Sequence, residues 1–317
     1  LAQKKQKKMD LQPTLDIKSV LETVGTKLTD EKTLTDALIS INANFTPQRV
    51  DNYYLFGDQA YKSGKCEIIR SDNGKSLGTM GEKYNMVSNQ EAFSVLADIV
   101  KYGHAVYDRG GEVKDKYFLS VKLPICIAPK CRPNDLIEMH FTGFNSFNGD
   151  MGLLFTLNAT RKFGNTMFHA LLSNLSKVRH SAKAKSKLDE SKAHLDFISK
   201  ETNVLQAKLD LLCDIPCKEQ DVRDISSYIL KVKDGNEATT RGLRKIDKIV
   251  ELFYDKSIGN LGETRYDAFV AFNGMIDHFS TNKETTGGTR DENRFESSLT
   301  GENSKLKLAA LEVLLPN

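Results

Sequence analysis

The chain has 317 residues, with 45 Lys and Arg nearly balanced by 42 Asp and Glu. It is long enough to bury a full core, and 39% hydrophobic with 27% charged side chains excludes a disordered polymer. No apolar run approaches the ~20 residues that cross a bilayer, and the basic start over residues 1–10 lacks the apolar stretch of a secretory signal.

Residues 1–13 form a Lys/Gln-rich tail. From Pro13 the apolar residues Leu15, Val20, Leu21 and Val24, then Leu34, Ala37, Leu38 and Ile41, recur at helical spacings. Thr29 or Thr33 caps the second of these helices and Pro47 ends the segment. Residues 66–70 and 76–80 read as strands around the Asn73-Gly74 turn. Asn89 caps a helix with Phe93, Leu96, Ala97 and Val100 on one face, closed by Gly103. Strands follow at 104–108 and 116–123, joined around Gly110-Gly111, and at 136–144 and 152–157, joined around Asn148-Gly149-Asp150. Residues 14–160 are therefore expected to form an α+β domain, an antiparallel β-meander with a packed helix.

Residues 161–317 read as mostly helical. Neither Gly nor Pro occurs over 165–212, which predicts one long helix there. Leu188, Leu195, Ile198, Leu205, Leu209 and Leu212 share one heptad register, with Ser191 and Thr202 as polar exceptions. Packing on its own domain is favoured over an inter-subunit seam, because the run is under four heptads. Further helices are expected at about 218–233, 237–256, 263–280 and 303–315, with a polar loop over 280–291.

Several chemistries are disfavoured by spacing. Cys126 and Cys131 lie five apart and Cys213 and Cys217 four apart, a poor match to paired zinc knuckles, so no metal is expected. Five cysteines, an odd number, give no disulfide framework, and a reducing cytoplasm is the expected setting. The six histidines form no catalytic spacing. Gly78 and Gly81 lack the Gly-Lys-Ser/Thr ending of a phosphate loop. No catalytic residue and no cofactor are expected.

The positive charge is concentrated. Residues 161–187 carry seven Lys or Arg and no Asp or Glu: Arg161, Lys162, Lys177, Arg179, Lys183, Lys185 and Lys187. Concentrated charge of this kind suits a polyanion, each neutralised phosphate adding counterion release. Arg70, Lys75 and Lys83 (with Arg109) extend the candidate nucleic-acid-binding set onto the meander. Tyr53, Tyr54, Phe56, Tyr61 and Tyr84 are candidates for base stacking.

Three blocks carry a family resemblance. They are Arg70-Ser71-Asp72-Asn73-Gly74-Lys75-Ser76-Leu77-Gly78 with Gly81 to Tyr84 and Asn89 to Phe93; Asn145 to Gly149 with Asn165-Thr166-Met167; and Arg294 to Gly301 with Leu306-Lys307 and Ala310 to Glu312. Together they resemble the phage/plasmid-like proteins, a large family of unknown function carried by phages, prophages and plasmids, over residues 53–315. Tyr266 stands where the family tends to Trp, Val270 where it has Asn, and Thr160 and Phe163 where it has Arg and Cys. The resemblance brings no catalytic residues. It implies a mobile-element setting, beside recombination and defence functions.

The expected function is that of a non-enzymatic phage or mobile-element DNA-binding protein. It acts in recombination or replication by ATP-independent single-strand binding or annealing, in the host cytoplasm, as a homo-oligomer. The alternative is a scaffold or interaction protein of phage assembly or host takeover, with the heptad helix as its seam.

Overall fold

A computed structural model describes residues 18–170, 187–232, 239–280 and 287–316. Among the described residues the chain is α+β, with an antiparallel six-stranded sheet, a smaller three-stranded sheet and a helical C-terminal half.

The main sheet is built from β1 (Thr26–Lys27), β5 (Val106–Val113), β6 (Lys116–Ile127), β7 (Ile137–Ser146), β8 (Leu154–Arg161) and β9 (Met167–Ala170), in the order β1-β5-β6-β7-β8-β9. From β5 to β8 it is the expected meander, to which β9 adds a strand that is not among those expected. The β5–β6 turn lies at Lys114-Asp115, not at Gly110-Gly111, and both residues take positive φ (49° and 59°), as a two-residue hairpin turn that follows strand twist requires. Gly110 and Gly111 stay inside β5, where they serve close packing. A Cβ on Gly110 would lie 2.8 Å from Ile41 Cδ1, and one on Gly111 would lie 3.0 Å from Gly25 Cα.

The smaller sheet comprises β2 (Pro47–Phe56), β3 (Gln59–Arg70) and β4 (Ser76–Gly81). The β3–β4 hairpin turns at Asn73-Gly74 as the sequence predicts, with Gly74 at φ 72°. The strand expected at 66–70 is the end of β3, whereas β2, the turn at Gly57-Asp58 and β3 before Cys66 have no counterpart among the expected strands.

Thr33 caps α1 (Leu34–Ser40), its side chain accepting from the Asp36 amide. The helix expected at 89–103 is two pieces, α2 (Asn89–Ala92) and α3 (Ser94–Gly103), broken at Phe93. The N-terminal helix is reduced to a 3-10 turn at Val20–Thr23 among the described residues.

The long helix is shorter than expected. Gly164 and Asn165 take positive φ (67° and 47°) and turn the chain back into β9, which pairs with β8. A short strand needs no Gly or Pro inside it, so breaker residues alone do not reveal it. Among the described residues the helix, α4, runs over Lys187–Asp214, and the part expected over 171–186 lies outside them. Ile198, Leu205, Leu209 and Leu212 on its heptad stripe are at most 1% exposed within this one chain. A Cβ on Gly103 would sit 2.5 Å from Leu195 Cδ2, so α3 ends in glycine where α4 crosses it. The stripe serves the protein's own core.

Five α-helices follow among the described residues: α5 (Glu219–Leu230), α6 (Thr240–Phe253), α7 (Arg265–Gly274) running into a π-turn at Met275–Phe279, and the pair α8 (Arg290–Thr300) and α9 (Glu302–Leu314). The main core extends without a break from Leu28 to Leu314, so the meander and the helices are packed as one body. A second cluster lies on the other sheet face, where Val20, Leu21, Phe295 and Leu299 cover Phe118 and Phe144. The cysteines also depart from expectation. Cys131, after β6, is disulfide-bonded to Cys213 at the end of α4, while Cys66, Cys126 and Cys217 are free.

Candidate nucleic-acid interface

The predicted basic residues do not form one surface. Arg161 is fully buried, its Nε bonded to Asp135, which also accepts from Tyr266 Oη at 2.8 Å. Burial opposes its charge, but Tyr266 and Asp135 outweigh that and hold its pKa above the ordinary value. Arg70 is 2% exposed, bonded to Asp72 and stacked 4.2 Å over the Phe45 ring. Neither guanidinium reaches solvent, so neither is placed to meet a phosphate. A long apolar stem beside a paired carboxylate makes burial of Arg feasible, and charge counting cannot see the partner.

Lys162 is exposed but paired with Glu138 at 2.9 Å, and Lys75 is paired with Glu112 at 2.7 Å. Arg109 donates to the backbone oxygens of Val24 and Gly25. Lys83 is exposed. Lys187 opens α4. Lys177, Arg179, Lys183 and Lys185 lie outside the described residues. Of the aromatic candidates, Tyr53, Tyr54, Phe56 and Tyr61 are exposed on the β2–β3 hairpin. Tyr84 is half-buried and donates to Ser146 O at 3.3 Å.

A basic surface that sequence reasoning passed over lies on α6. Arg241, Arg244, Lys245 and Lys248 fall at spacings that share one helical flank. The opposite side buries Ile246, Ile249, Val250 and Phe253. The helix's own carboxylates are engaged, Asp247 by Arg223 at 2.9 Å and Glu251 by Lys248 at 2.6 Å. Beside this flank a cavity of about 540 Å³ is lined by Lys231, Val232, Thr239, Arg241 and Lys245. Burial, then the nearby charge of Arg241, lowers the Lys245 pKa. Positive charge therefore converges on the start of a helix, whose dipole also favours an anion. The signal in the sequence is four cations at i, i+3, i+4 and i+7.

The second feature is a polar face on the main sheet. Lys122, His140 and Asn158 are consecutive cross-strand partners. Asn158 donates to Thr142 at 3.3 Å and Thr156 at 3.0 Å, and Thr142 donates to Ser120 at 3.0 Å. His140 Nε2 lies 3.7 Å from Asp108, whose other oxygen holds Lys27. Burial lowers the His140 pKa more than Asp108 raises it, which favours a neutral ring. His140 Nδ1, Asn158 Oδ1 and Thr160 Oγ1 are buried without a partner. Such a face can hold a polar group by hydrogen bonds. Alternation of polar residues at 138, 140 and 142 with those at 156, 158 and 160 is its signal in the sequence. Among the described residues no group of three or more His, Cys, Asp or Glu converges as a metal site.

Residues 76–299 match the family model described as Domain of unknown function (DUF932). The chain belongs to the DUF932 family. The DUF932 segment begins at the first residue of β4, so it takes in the meander, the polar sheet face and the α6 flank, while the β2–β3 hairpin precedes it. No curated protein and no solved structure matches the chain. No helix among the described residues is long and apolar enough to cross a membrane.

Proposed function

We propose that this protein binds DNA, single strands in preference, and acts in recombination or replication of a phage or other mobile element. It works by ATP-independent binding or annealing and carries out no chemistry of its own. The observation that supports this reading best is the α6 flank, where Lys231, Arg241 and Lys245 line one cavity and Arg244 lies on the same side of the helix. Phosphates spaced along a strand suit a row of cations on one helix side. The charge excess over 161–187 adds to the reading through Lys177, Arg179, Lys183, Lys185 and Lys187. The mobile-element setting rests on the family resemblance.

Salt-titrated binding of single- and double-stranded oligonucleotides to the whole protein tests the proposal. Affinity should fall steeply with salt. The triple variant Arg241→Gln, Arg244→Gln, Lys245→Gln should flatten the log–log slope by about 0.7 for each phosphate that it leaves unneutralised. Absent or salt-insensitive binding by the intact protein overturns it.

A further inference from the structure

The β2–β3 hairpin leaves the body of the protein as an arm. β4 pairs with β3 only from Lys65 to Ile69, so beyond Lys65 the hairpin has two strands and no third. Over 48–65 every residue is exposed except Asn52, which is half-buried.

The arm is apolar on both faces. Tyr54 opposes Tyr61 and Phe56 opposes Gln59, which puts Tyr54, Phe56 and Tyr61 on one side. Tyr53 and Leu55 lie on the other, opposite Lys62 and Ala60. Leu55 is 78% exposed, Phe56 76%, Tyr53 62%, Tyr54 55%, Val50 46% and Tyr61 40%. At ~150–250 Å² per large side chain, this leaves on the order of 600 Å² of apolar arm in water. That total is at the top of the roughly 300–600 Å² range of the largest apolar patch on a monomer, and a standard interface needs roughly 800 Å² from each partner.

Charge argues against a polyanion as the occupant. Over 47–65 the cations are Arg49, Lys62 and Lys65 and the anions Asp51 and Asp58. Lys62 is held between Asp51 at 3.0 Å and Glu82 at 3.2 Å, and Arg49 donates to Tyr84 O. A near-neutral arm with two apolar faces calls for apolar contact on both sides.

The strand order β2-β3-β4 leaves β2 as a ten-residue edge. Its outward N–H and C=O groups form a row that an antiparallel copy of the same strand satisfies, and a two-fold axis makes such an edge its own complement. We infer that the β2–β3 arm is a self-association surface that takes the arm of a second copy, β2 edge to β2 edge, with the aromatic side chains closing over the joint. This surface is separate from the α6 flank, so the two proposals stand or fall apart.

The test is the mass of the whole protein by light scattering from low to high micromolar concentration, with hydrogen exchange of the β2 amides alongside. Wild type should assemble, and its β2 amides should gain protection only where it does. The variant Leu55→Ser with Phe56→Ser should weaken assembly by at least about tenfold, with circular dichroism and melting unchanged, since both side chains are in solvent. A wild type that stays monomeric throughout overturns the inference. So does a variant that assembles as wild type does, or one that keeps its mass while losing oligonucleotide binding. If the variant unfolds, the exchange pattern of wild type decides alone.

Discussion

Lys307 and Asp277 clasp both backbone polar groups of Met167. The Lys307 ammonium donates to Met167 O at 2.7 Å and pairs with Asp277, whose other oxygen accepts from Met167 N at 2.9 Å. The two side chains are at most 1% exposed. Together they give β9 the bonds that a further strand would otherwise supply.

Removing one partner leaves a charge buried and unpaired. Lys307→Met should lower stability by about 3–5 kcal/mol, with the double variant Lys307→Met, Asp277→Asn recovering part of the loss. Urea unfolding of the three proteins checks this. Equal loss in the single and double variants would show that the pair is not coupled.

Acid should loosen the joint between the meander and α8. Burial raises the Glu296 pKa, but Lys114 and Lys116 outweigh it and hold the carboxyl below its ordinary 4.5. A depressed carboxyl contributes stability that is present above the unfolded value and lost as pH falls through the folded one. Glu138, between Lys122 and Lys162, behaves alike. The urea midpoint should therefore fall below about pH 4.5, and Glu296→Gln should be less acid-sensitive than wild type.

The Cys131–Cys213 disulfide spans 82 positions. Chain entropy for a loop of that length corresponds to about 4.5 kcal/mol, and native bridges generally contribute about 2–5. Reductant, or Cys131→Ser, should lower the melting midpoint accordingly. Mass spectrometry under alkylation should count two more free thiols after reduction.

Leu205 separates core from seam. It is 0% exposed inside one chain, so Leu205→Ala should cost about 2–5 kcal/mol and leave the assembled mass unchanged at temperatures where the protein is folded. A loss of assembly without loss of stability would return α4 to the role of a seam.

Strong local signals make much of the fold legible. Asn73-Gly74 and Asn148-Gly149 mark real turns, and Thr33 caps α1 as expected, while the cap expected at Asn89 is Ser88, one residue earlier. The start of α8 is equally readable, since Thr289 and Glu292 form a capping box, yet no helix is among those expected there. The β2–β3 arm is harder. Its side chains over 48–65 are exposed apart from the half-buried Asn52, so no buried face imposes alternation on its sequence. Among the candidate site residues, charge is visible and its neutralisation is not. Arg161 and Asp135 lie 26 positions apart, a distance at which no periodicity links two residues.

The clasp on Met167 also bears on the order of synthesis. Its lysine lies 140 positions beyond the strand it holds. While a ribosome makes the chain, the sheet is exposed long before residue 307 emerges. β9 therefore waits, while the 140 positions that follow it are made, with its outer edge unclasped, and the nascent protein cannot close that edge until α9 has formed.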